Sequence, residues 1–166
     1  NICGRTSTYP GTMGTAVVKV FDMTAASTGN NEKRLRQLGL PYRVLHIHPG
    51  SHAGYYPGAN SITMKLLFDP ETGRILGAQA VGWNGVEKRI DVIATAIKGK
   101  LTVFDLQELE LSYAPPYSSA KDPVNMLGYA ATNMMELLTD SYQWHEVNDL
   151  VNENAVIIDV RDEDEH

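Results

Sequence analysis

Alternating apolar positions predict four strands in the first half of the chain. Residues 16–21 and 43–48 are rich in β-branched and other apolar side chains, which is typical of strands. In residues 61–68, apolar side chains recur at every second position, which indicates a strand with one buried face. The turn chemistry of residues 69–73 then predicts that a strand over residues 74–82 returns antiparallel to it.

Helical periodicity predicts the helices that would cover this sheet. We expect Thr28 to cap a first helix that ends at Gly39. Residues 86–97 show an amphipathic pattern that ends at Gly99, and a short helix over residues 102–108 follows. A last helix begins at the cap Asp122, and its predicted apolar stripe consists of Leu127, Ala131, Met134 and Leu138. Because the order is strands and then helices, with hairpins rather than regularly alternating strand–helix–strand units, we predict an α+β fold, an antiparallel sheet with helices packed on it.

The chain changes character at about residue 140. Residues 140–166 carry a formal charge of −8, whereas the 139 residues before them carry +2. Beyond that point we expect a short helix over residues 145–152 and a buried strand over residues 154–160. One helix and one strand cannot bury their own apolar faces. We therefore expect a first domain over residues 1–139, then a linker and the start of a second domain over residues 140–166, in a piece of a longer protein.

Composition argues against several classes of protein. Hydrophobic residues make up 43% of the chain and charged residues 20%, as in an ordinary globular domain. No apolar run approaches the ~20 residues of a membrane helix, and no signal peptide is seen, so we expect a cytoplasmic protein with no membrane partner. The nearly neutral body has no basic patch, which argues against nucleic acid as a partner. The single cysteine, Cys3, cannot form an internal disulfide and is expected to be an inert, buried thiol.

Three histidines offer one candidate for a metal site. His46 and His48 share a face of a predicted strand, and His52 follows shortly after it. Zinc usually takes three or four ligands, and no carboxylate stands at a suitable spacing. The commoner interpretation is a set of hydrogen-bonded histidines, so we expect no metal site. A small metal-binding enzyme that uses these histidines is the alternative hypothesis.

Two tyrosine-bearing loops and one lysine are the other candidates. Tyr55 and Tyr113 lie in proline-containing segments, where a rigid backbone would hold a phenol that donates a hydrogen bond to a thiolate or oxyanion. Lys121 precedes the helix start at Asp122, where a cation and free backbone N–H groups attract phosphate. The alternatives are tyrosines that only pack, in a purely structural interaction domain, and a solvated surface lysine. The sequence contains no dinucleotide fingerprint, Walker loop or nucleophile elbow.

Several runs of sequence, spread over about residues 8–138, carry a resemblance to a known family. These runs are Gly11–Asp22, His52–Pro57, Gly77–Gln79, Lys88–Asp91 and Tyr113–Asn125. In this order they resemble the C-terminal dimerisation domain of flavin-dependent pyridine nucleotide-disulfide oxidoreductases. The run Tyr-Ala-Pro-Pro-Tyr-Ser that begins at Tyr113 is similar to the coenzyme A-disulfide reductase and NADH oxidase branch of that superfamily.

The resemblance implies a sheet of about five antiparallel strands that pairs with a second copy in a homodimer. It also implies that Tyr55 and Tyr113 reach the partner subunit's active site as catalytic residues facing the substrate sulfur, that Tyr113 lies near FAD, and that Lys121 contacts coenzyme A. The whole protein would pass electrons from NAD(P)H through FAD to a small sulfur substrate such as a coenzyme A disulfide, a persulfide or a polysulfide. Its FAD and NAD(P)H domains and its reactive cysteine, which Cys3 does not match, would lie outside these residues. We therefore expect the 166 residues alone to hold no cofactor and to be inactive.

A second, shorter resemblance lies in the tail. The run Ala155–Arg161 is similar to the first strand of a rhodanese domain. It implies that residues 140–166 contain a linker and the truncated start of a rhodanese-like domain. The change of charge at residue 140 falls at the same place.

Overall fold

A five-stranded sheet with helices packed on it forms the body of the computed structural model, which describes residues 3–4 and 6–162. The elements are β1 (Ala16–Val20), β2 (Met23–Gly29), α1 (Glu32–Leu38), β3 (Arg43–Ile47), β4 (Ile62–Phe68), β5 (Ile75–Gly82), α2 (Val86–Gly99), α3 (Val103–Glu108), α4 (Pro123–Met135) and α5 (Val147–Asn152). Within the described residues, no helix combines the length and apolarity that crossing a bilayer requires.

The sheet has the order β1-β2-β5-β4-β3, and every neighbouring pair of strands is antiparallel. This arrangement confirms the predicted α+β class and the five strands. The alternation predicted for β4 is also confirmed, because Ile62, Met64, Leu66 and Phe68 are all fully buried. Helix α2 packs across β2 and β5, while α3 and α4 pack on each other and α4 reaches β3. These helices cover part of the sheet and enclose the hydrophobic core. Loops extend from the ends of the strands outside the covered part.

The sequence pattern does not predict β2, and the expected helix cap at Thr28 is wrong. Thr28 is a buried residue of β2, and its hydroxyl shares a 2.8 Å hydrogen bond with the hydroxyl of Thr15. The cap of α1 is Asn31, whose side-chain oxygen accepts a hydrogen bond from the N–H of Arg34 at 2.9 Å. Small residues fill much of β2, so the pairing with β1 on one side and β5 on the other decides its conformation. The predicted end at Gly39 is confirmed by a left-handed φ of 63°.

Three predictions near the ends of the chain are wrong. Helix α4 stops before Leu138, which is 68% exposed and takes no part in the apolar stripe. Residues 154–160 form no strand, and their apolar side chains are exposed, because a lone strand has no neighbour to pair with or to cover it. Cys3, which precedes the first strand, is exposed rather than buried. The predicted short helix does form as α5, although it buries no side chain.

Candidate functional site

Two irregular loops carry the tyrosines singled out above. We call residues 48–61, between β3 and β4, the first tyrosine loop, and residues 109–122, between α3 and α4, the second tyrosine loop. The two loops are joined directly, because the N–H of Ala53 donates to the carbonyl of Ser118 at 3.1 Å. The first loop is closed at its base by the N–H of Ser51, which donates to the carbonyl of Asn60 at 2.7 Å. Folding thus places two segments that are far apart in sequence side by side.

The hydroxyl groups of Tyr55 and Tyr113 meet across the two loops. Their oxygen atoms lie 3.1 Å apart, within hydrogen-bond distance. Tyr55 is 76% exposed and Tyr113 is 48% exposed, so the pair lies at the surface and is open to a ligand. One hydroxyl donates to the other, and the second hydroxyl keeps its proton for an outside acceptor. The pair can therefore donate one hydrogen bond outward.

The contact between the two phenols also affects their acidity. The hydrogen bond with Tyr55 raises the pKa of the Tyr113 hydroxyl above its ordinary value of 10.0, and partial desolvation acts in the same direction. The hydrogen bond between the two hydroxyls stabilises the protonated form of Tyr113, which makes loss of its proton more costly. Tyr113 is therefore a neutral hydrogen-bond donor at pH 7.

A buried arginine that the sequence patterns alone did not single out contacts both loops. Arg89, in α2, is 1% exposed, and its guanidinium is paired with the carboxylate of Asp122 at 3.0 Å. It also donates to the backbone carbonyls of Ser51 at 2.9 Å and Tyr117 at 3.3 Å. The sequence does indicate that Arg89 is buried, because it follows Val86 by three residues and so falls on the buried face of α2. A charge at such a position needs partners.

Asp122 is confirmed as the cap of α4 and is the anionic partner of this arginine. Its carboxylate accepts hydrogen bonds from the hydroxyl of Ser118 at 2.6 Å and from the N–H of Val124 at 3.0 Å. Burial alone would raise the pKa of the Asp122 carboxyl. These hydrogen bonds and the charge of Arg89 outweigh burial and lower that pKa below its ordinary value of 3.8. Asp122 is therefore ionised at neutral pH and neutralises the buried guanidinium.

A polar pocket of about 620 Å³ opens between the two tyrosine loops and the start of α2. His52, Tyr56, Lys88 and Tyr117 contribute to its lining. His52 is buried, and its ring nitrogens lie within hydrogen-bond distance of the Ser51 hydroxyl at 3.2 Å and the Pro57 carbonyl at 3.3 Å. His52 is thus held within its own loop.

Lys121 lies at the end of the second tyrosine loop, immediately before the cap of α4. Its ammonium nitrogen lies 4.5 Å from the centre of the Tyr129 ring, which is a cation–π contact. The residue is exposed. The structure therefore places a solvent-accessible lysine immediately before the cap of α4.

The three histidines do not form a metal site in the described residues, where no group of three or more His, Cys, Asp or Glu side chains is arranged to hold an ion. His46 and His48 lie on or beside β3, and the ring of His48 contacts the Thr63 hydroxyl at 3.1 Å. Burial lowers the pKa of His46, and the charge of Lys65 acts in the same direction. The alternative of a metal-binding enzyme therefore has no geometric support in this part of the chain.

Comparison with family models gives a match to the dimerisation domain of the pyridine nucleotide-disulphide oxidoreductases over residues 15–123. This chain belongs to that family. The matched residues include both members of the tyrosine pair as well as Arg89 and Asp122. The resemblance read from the sequence is thus confirmed for the dimerisation domain. The second resemblance, in residues 140–166, lies outside the match and stays a prediction.

Proteins similar to this chain include a disulfide reductase and a persulfide reductase. The coenzyme A disulfide reductase of Staphylococcus haemolyticus is 44% identical over 126 residues, which are 76% of this chain and 28% of that protein. The crystal structure of reduced Bacillus anthracis CoADR-RHD is 58% identical with a TM-score of 0.92, and the match covers 96% of this chain and 28% of that one. The NAD-dependent persulfide reductase from A. fulgidus is 42% identical with a TM-score of 0.89, over 99% of this chain and 30% of that one. The chain thus spans less than a third of the length of these relatives.

Proposed function

We propose that this dimerisation domain completes the active site of an FAD-dependent NAD(P)H:disulfide reductase. In a homodimer, Tyr55 and Tyr113 would enter the partner subunit's active site. The observation that carries the proposal is the 3.1 Å contact between two exposed phenol oxygens supplied by separate loops. Tyrosines that only pack would bury their rings, whereas this pair presents its hydroxyl groups to the outside. The names of the relatives, a coenzyme A disulfide reductase and a persulfide reductase, support the same assignment.

The proposed reaction suits a neutral phenol pair. In it, NAD(P)H and one proton reduce the S–S bond of the substrate, giving NAD(P)⁺ and two thiol groups. The sulfur that leaves the S–S bond develops negative charge, and a hydroxyl placed beside it stabilises that charge by donating a hydrogen bond. Because its pKa is raised, Tyr113 stays protonated within the pair, and the hydroxyl of the pair that points outward makes this donation. The pair thus assists the leaving sulfur without adding a charge of its own.

FAD would supply the electron relay between the nicotinamide and the sulfur substrate. The hydroxyl of Tyr113 is a partly exposed neutral donor, which fits the polar edge of a flavin. The chain carries no dinucleotide fingerprint, so we place the main FAD and NAD(P)H contacts in the further length that its relatives possess. We call this chain together with that length the whole flavoprotein, which we propose to be cytoplasmic. The 166 residues alone would be inactive.

Lys121 supports a phosphate-bearing sulfur substrate. Coenzyme A carries several phosphate charges, and an accessible ammonium group at the start of a helix suits such a ligand. We therefore propose a coenzyme A disulfide or persulfide as the substrate class and Lys121 as a substrate contact. The proposed function involves neither nucleic acid nor a membrane as a partner.

For residues 140–166 we propose a linker and the start of a rhodanese-like domain. The described apolar side chains of residues 156–160 are exposed, and a neighbouring strand and helices of a second domain would cover them. The charge of −8 in residues 140–166 sets this segment apart from the dimerisation domain.

Replacing Tyr113 by Phe in the whole flavoprotein tests the proposed function. We expect Tyr113→Phe to lower kcat/KM for coenzyme A disulfide by roughly 10²-fold, the effect of removing one hydrogen-bond donor from a developing anion. The rate of flavin reduction by NAD(P)H, measured by stopped-flow absorbance, should fall by less than kcat/KM, because that step does not involve the substrate sulfur.

Tyr9→Phe is the matched control, since it removes an exposed hydroxyl that lies outside the family match. Unchanged turnover in Tyr113→Phe would refute the proposal and favour a purely structural interaction domain, in which the tyrosines only pack.

A further inference from the structure

Nothing in the core fixes the tyrosine pair directly. Both phenols are exposed, and both tyrosine loops are irregular, so neither helix nor strand sets the distance between the two hydroxyl oxygens. The 3.1 Å separation of Tyr55 and Tyr113 must therefore come from whatever holds the backbones of the loops together. The bond from the N–H of Ala53 to the carbonyl of Ser118 joins the loops, and the buried guanidinium of Arg89 contacts both of them.

Arg89 contacts each loop four residues away from its tyrosine. In the first loop it donates to the carbonyl of Ser51, at 2.9 Å. In the second loop it donates to the carbonyl of Tyr117 at 3.3 Å and reaches the hydroxyl of Ser118 at 3.4 Å. Both loops thus share one buried anchor.

The guanidinium is itself fixed by the elements that flank the loops. It donates to the carbonyl of Gly85, at the start of α2, at 3.0 Å. It forms two contacts with the carboxylate of Asp122, the cap of α4, at 3.0 and 3.3 Å. The N–H groups of a planar guanidinium point in fixed directions toward these acceptors, and the four contacts at Nη2 share its two N–H groups, whereas the three donors of a lysine ammonium radiate from a single point.

We propose that Arg89, held by Asp122, is the positioning residue that fixes the distance between the Tyr55 and Tyr113 hydroxyls. Because Arg89 is 1% exposed, it would act through the two loops rather than by touching substrate or cofactor. This role rests on the proposed function for its catalytic consequence. Its structural consequence, the separation of the two phenols, is independent of that function.

The test compares Arg89→Lys, which keeps the charge, with Arg36→Lys, the same substitution at an exposed arginine of α1. Crystal structures of both variants of the whole flavoprotein would give the distance between the two phenol oxygens. We expect this distance to exceed 3.5 Å in Arg89→Lys and to remain near 3.1 Å in Arg36→Lys. A separation that stays near 3.1 Å in Arg89→Lys would overturn the positioning role.

Kinetics of the same proteins supply a second readout. We expect Arg89→Lys to lower kcat/KM for coenzyme A disulfide by roughly tenfold to a hundredfold, the cost of misplacing a catalytic group by about 1 Å. In a Tyr113→Phe background, Arg89→Lys should lower kcat/KM by less than about twofold. A residue that acts through the phenol pair loses its effect once one of the two hydroxyls has been removed. Multiplicative effects in the double variant would overturn the proposal, because general structural damage gives that result.

Two outcomes separate this proposal from the proposed function. If Tyr113→Phe leaves turnover unchanged, the proposed function fails, and the oxygen–oxygen distance in Arg89→Lys still decides the positioning role. If Arg89→Lys does not fold, Ser118→Ala is the milder variant, because it removes only a hydroxyl that contacts Arg89 and Asp122. We expect a smaller loss of kcat/KM in Ser118→Ala, which also disappears in the Tyr113→Phe background; a loss of equal size in both backgrounds would refute the role.

Discussion

Two carboxylates, the buried one of Asp122 and the partly exposed one of Glu32, each contact two cations. We call each carboxylate with its partners a cluster, and the two clusters differ in the elements that they connect. The side chain of Asp122 is 3% exposed and lies 3.0 Å from Arg89 and 3.7 Å from Lys88. The same carboxylate accepts hydrogen bonds from the hydroxyl of Ser118 and from the N–H of Val124 at the start of α4. This cluster joins α2 and the first tyrosine loop to the second tyrosine loop and α4, three parts of the chain that are separated in the sequence.

The Glu32 cluster is built from similar groups at the surface. The side chain of Glu32 is 24% exposed, pairs with Arg36 of the same helix at 2.9 Å and bonds the ammonium of Lys65 on β4. The hydroxyl of Tyr42 donates to the same carboxylate at 3.2 Å. Water can replace any of these partners, whereas around Asp122 it has little access. Burial, more than the number of charges, therefore decides how much each cluster matters.

The largest effect is expected from Asp122→Ala. This change leaves the guanidinium of Arg89 buried without its counter-charge and removes the cap of α4, so we expect the free energy of unfolding to fall by about 3–5 kcal/mol. Urea denaturation followed by circular dichroism measures this loss. A decrease below about 1 kcal/mol would show that water enters the cluster and that it behaves as a surface ion pair.

A smaller effect is expected from acid. Because the pKa of Asp122 is lower in the folded chain than its ordinary value of 3.8, its ionised form favours folding. That contribution is fully present above about pH 3.8 and is lost as the pH falls through the lower folded pKa. The cations that face this carboxylate are Arg89 and Lys88, at 3.0 and 3.7 Å. In urea denaturation between pH 5 and pH 2.5, the wild-type chain should lose more stability than Asp122→Asn; parallel curves for the two proteins would contradict this linkage.

Much of the fold follows from local patterns in the sequence. The alternation in β4 and the stripes of α2 and α4 depend on spacing alone, and the structure confirms them except at Leu138, which lies beyond the end of α4. No such pattern predicts strand β2, because its conformation depends on pairing with its neighbours in the sheet rather than on its own small side chains. The exposed residues 154–160 show the opposite case, in which a strand-like pattern finds no partner within the described chain.

The candidate site is predictable in part. Loop chemistry and the family resemblance singled out Tyr55 and Tyr113, but neither could give the contact between their hydroxyls. The role of Arg89 depends on Ser51 and Asp122 meeting in space, 38 residues before it and 33 after it. A charged residue on an apolar helix face shows that a partner is needed without showing which one. Only the folded arrangement supplies that partner.

The smallest effect is expected from Glu32→Gln. The substitution keeps the shape of the side chain and removes the charge that bonds Lys65 and Arg36. Burial opposes ionisation of Glu32, but the hydrogen bonds and charges of its partners lower its pKa, so the ionised form is the one that folding favours. For a pair this exposed, we expect a loss of less than about 1 kcal/mol in the free energy of unfolding, and a smaller loss in high salt.

A double-mutant cycle with Lys65→Met isolates the Glu32–Lys65 pair. We expect a coupling energy of about 0.2–1 kcal/mol, measured by urea denaturation. A coupling of several kcal/mol that does not respond to salt would contradict the contrast with Asp122. It would mean that the Glu32 cluster is as shielded from water as the buried one, and that its 24% exposure does not weaken it. The position of α1 on the sheet would then depend on this ion pair as strongly as the tyrosine loops are proposed to depend on Arg89.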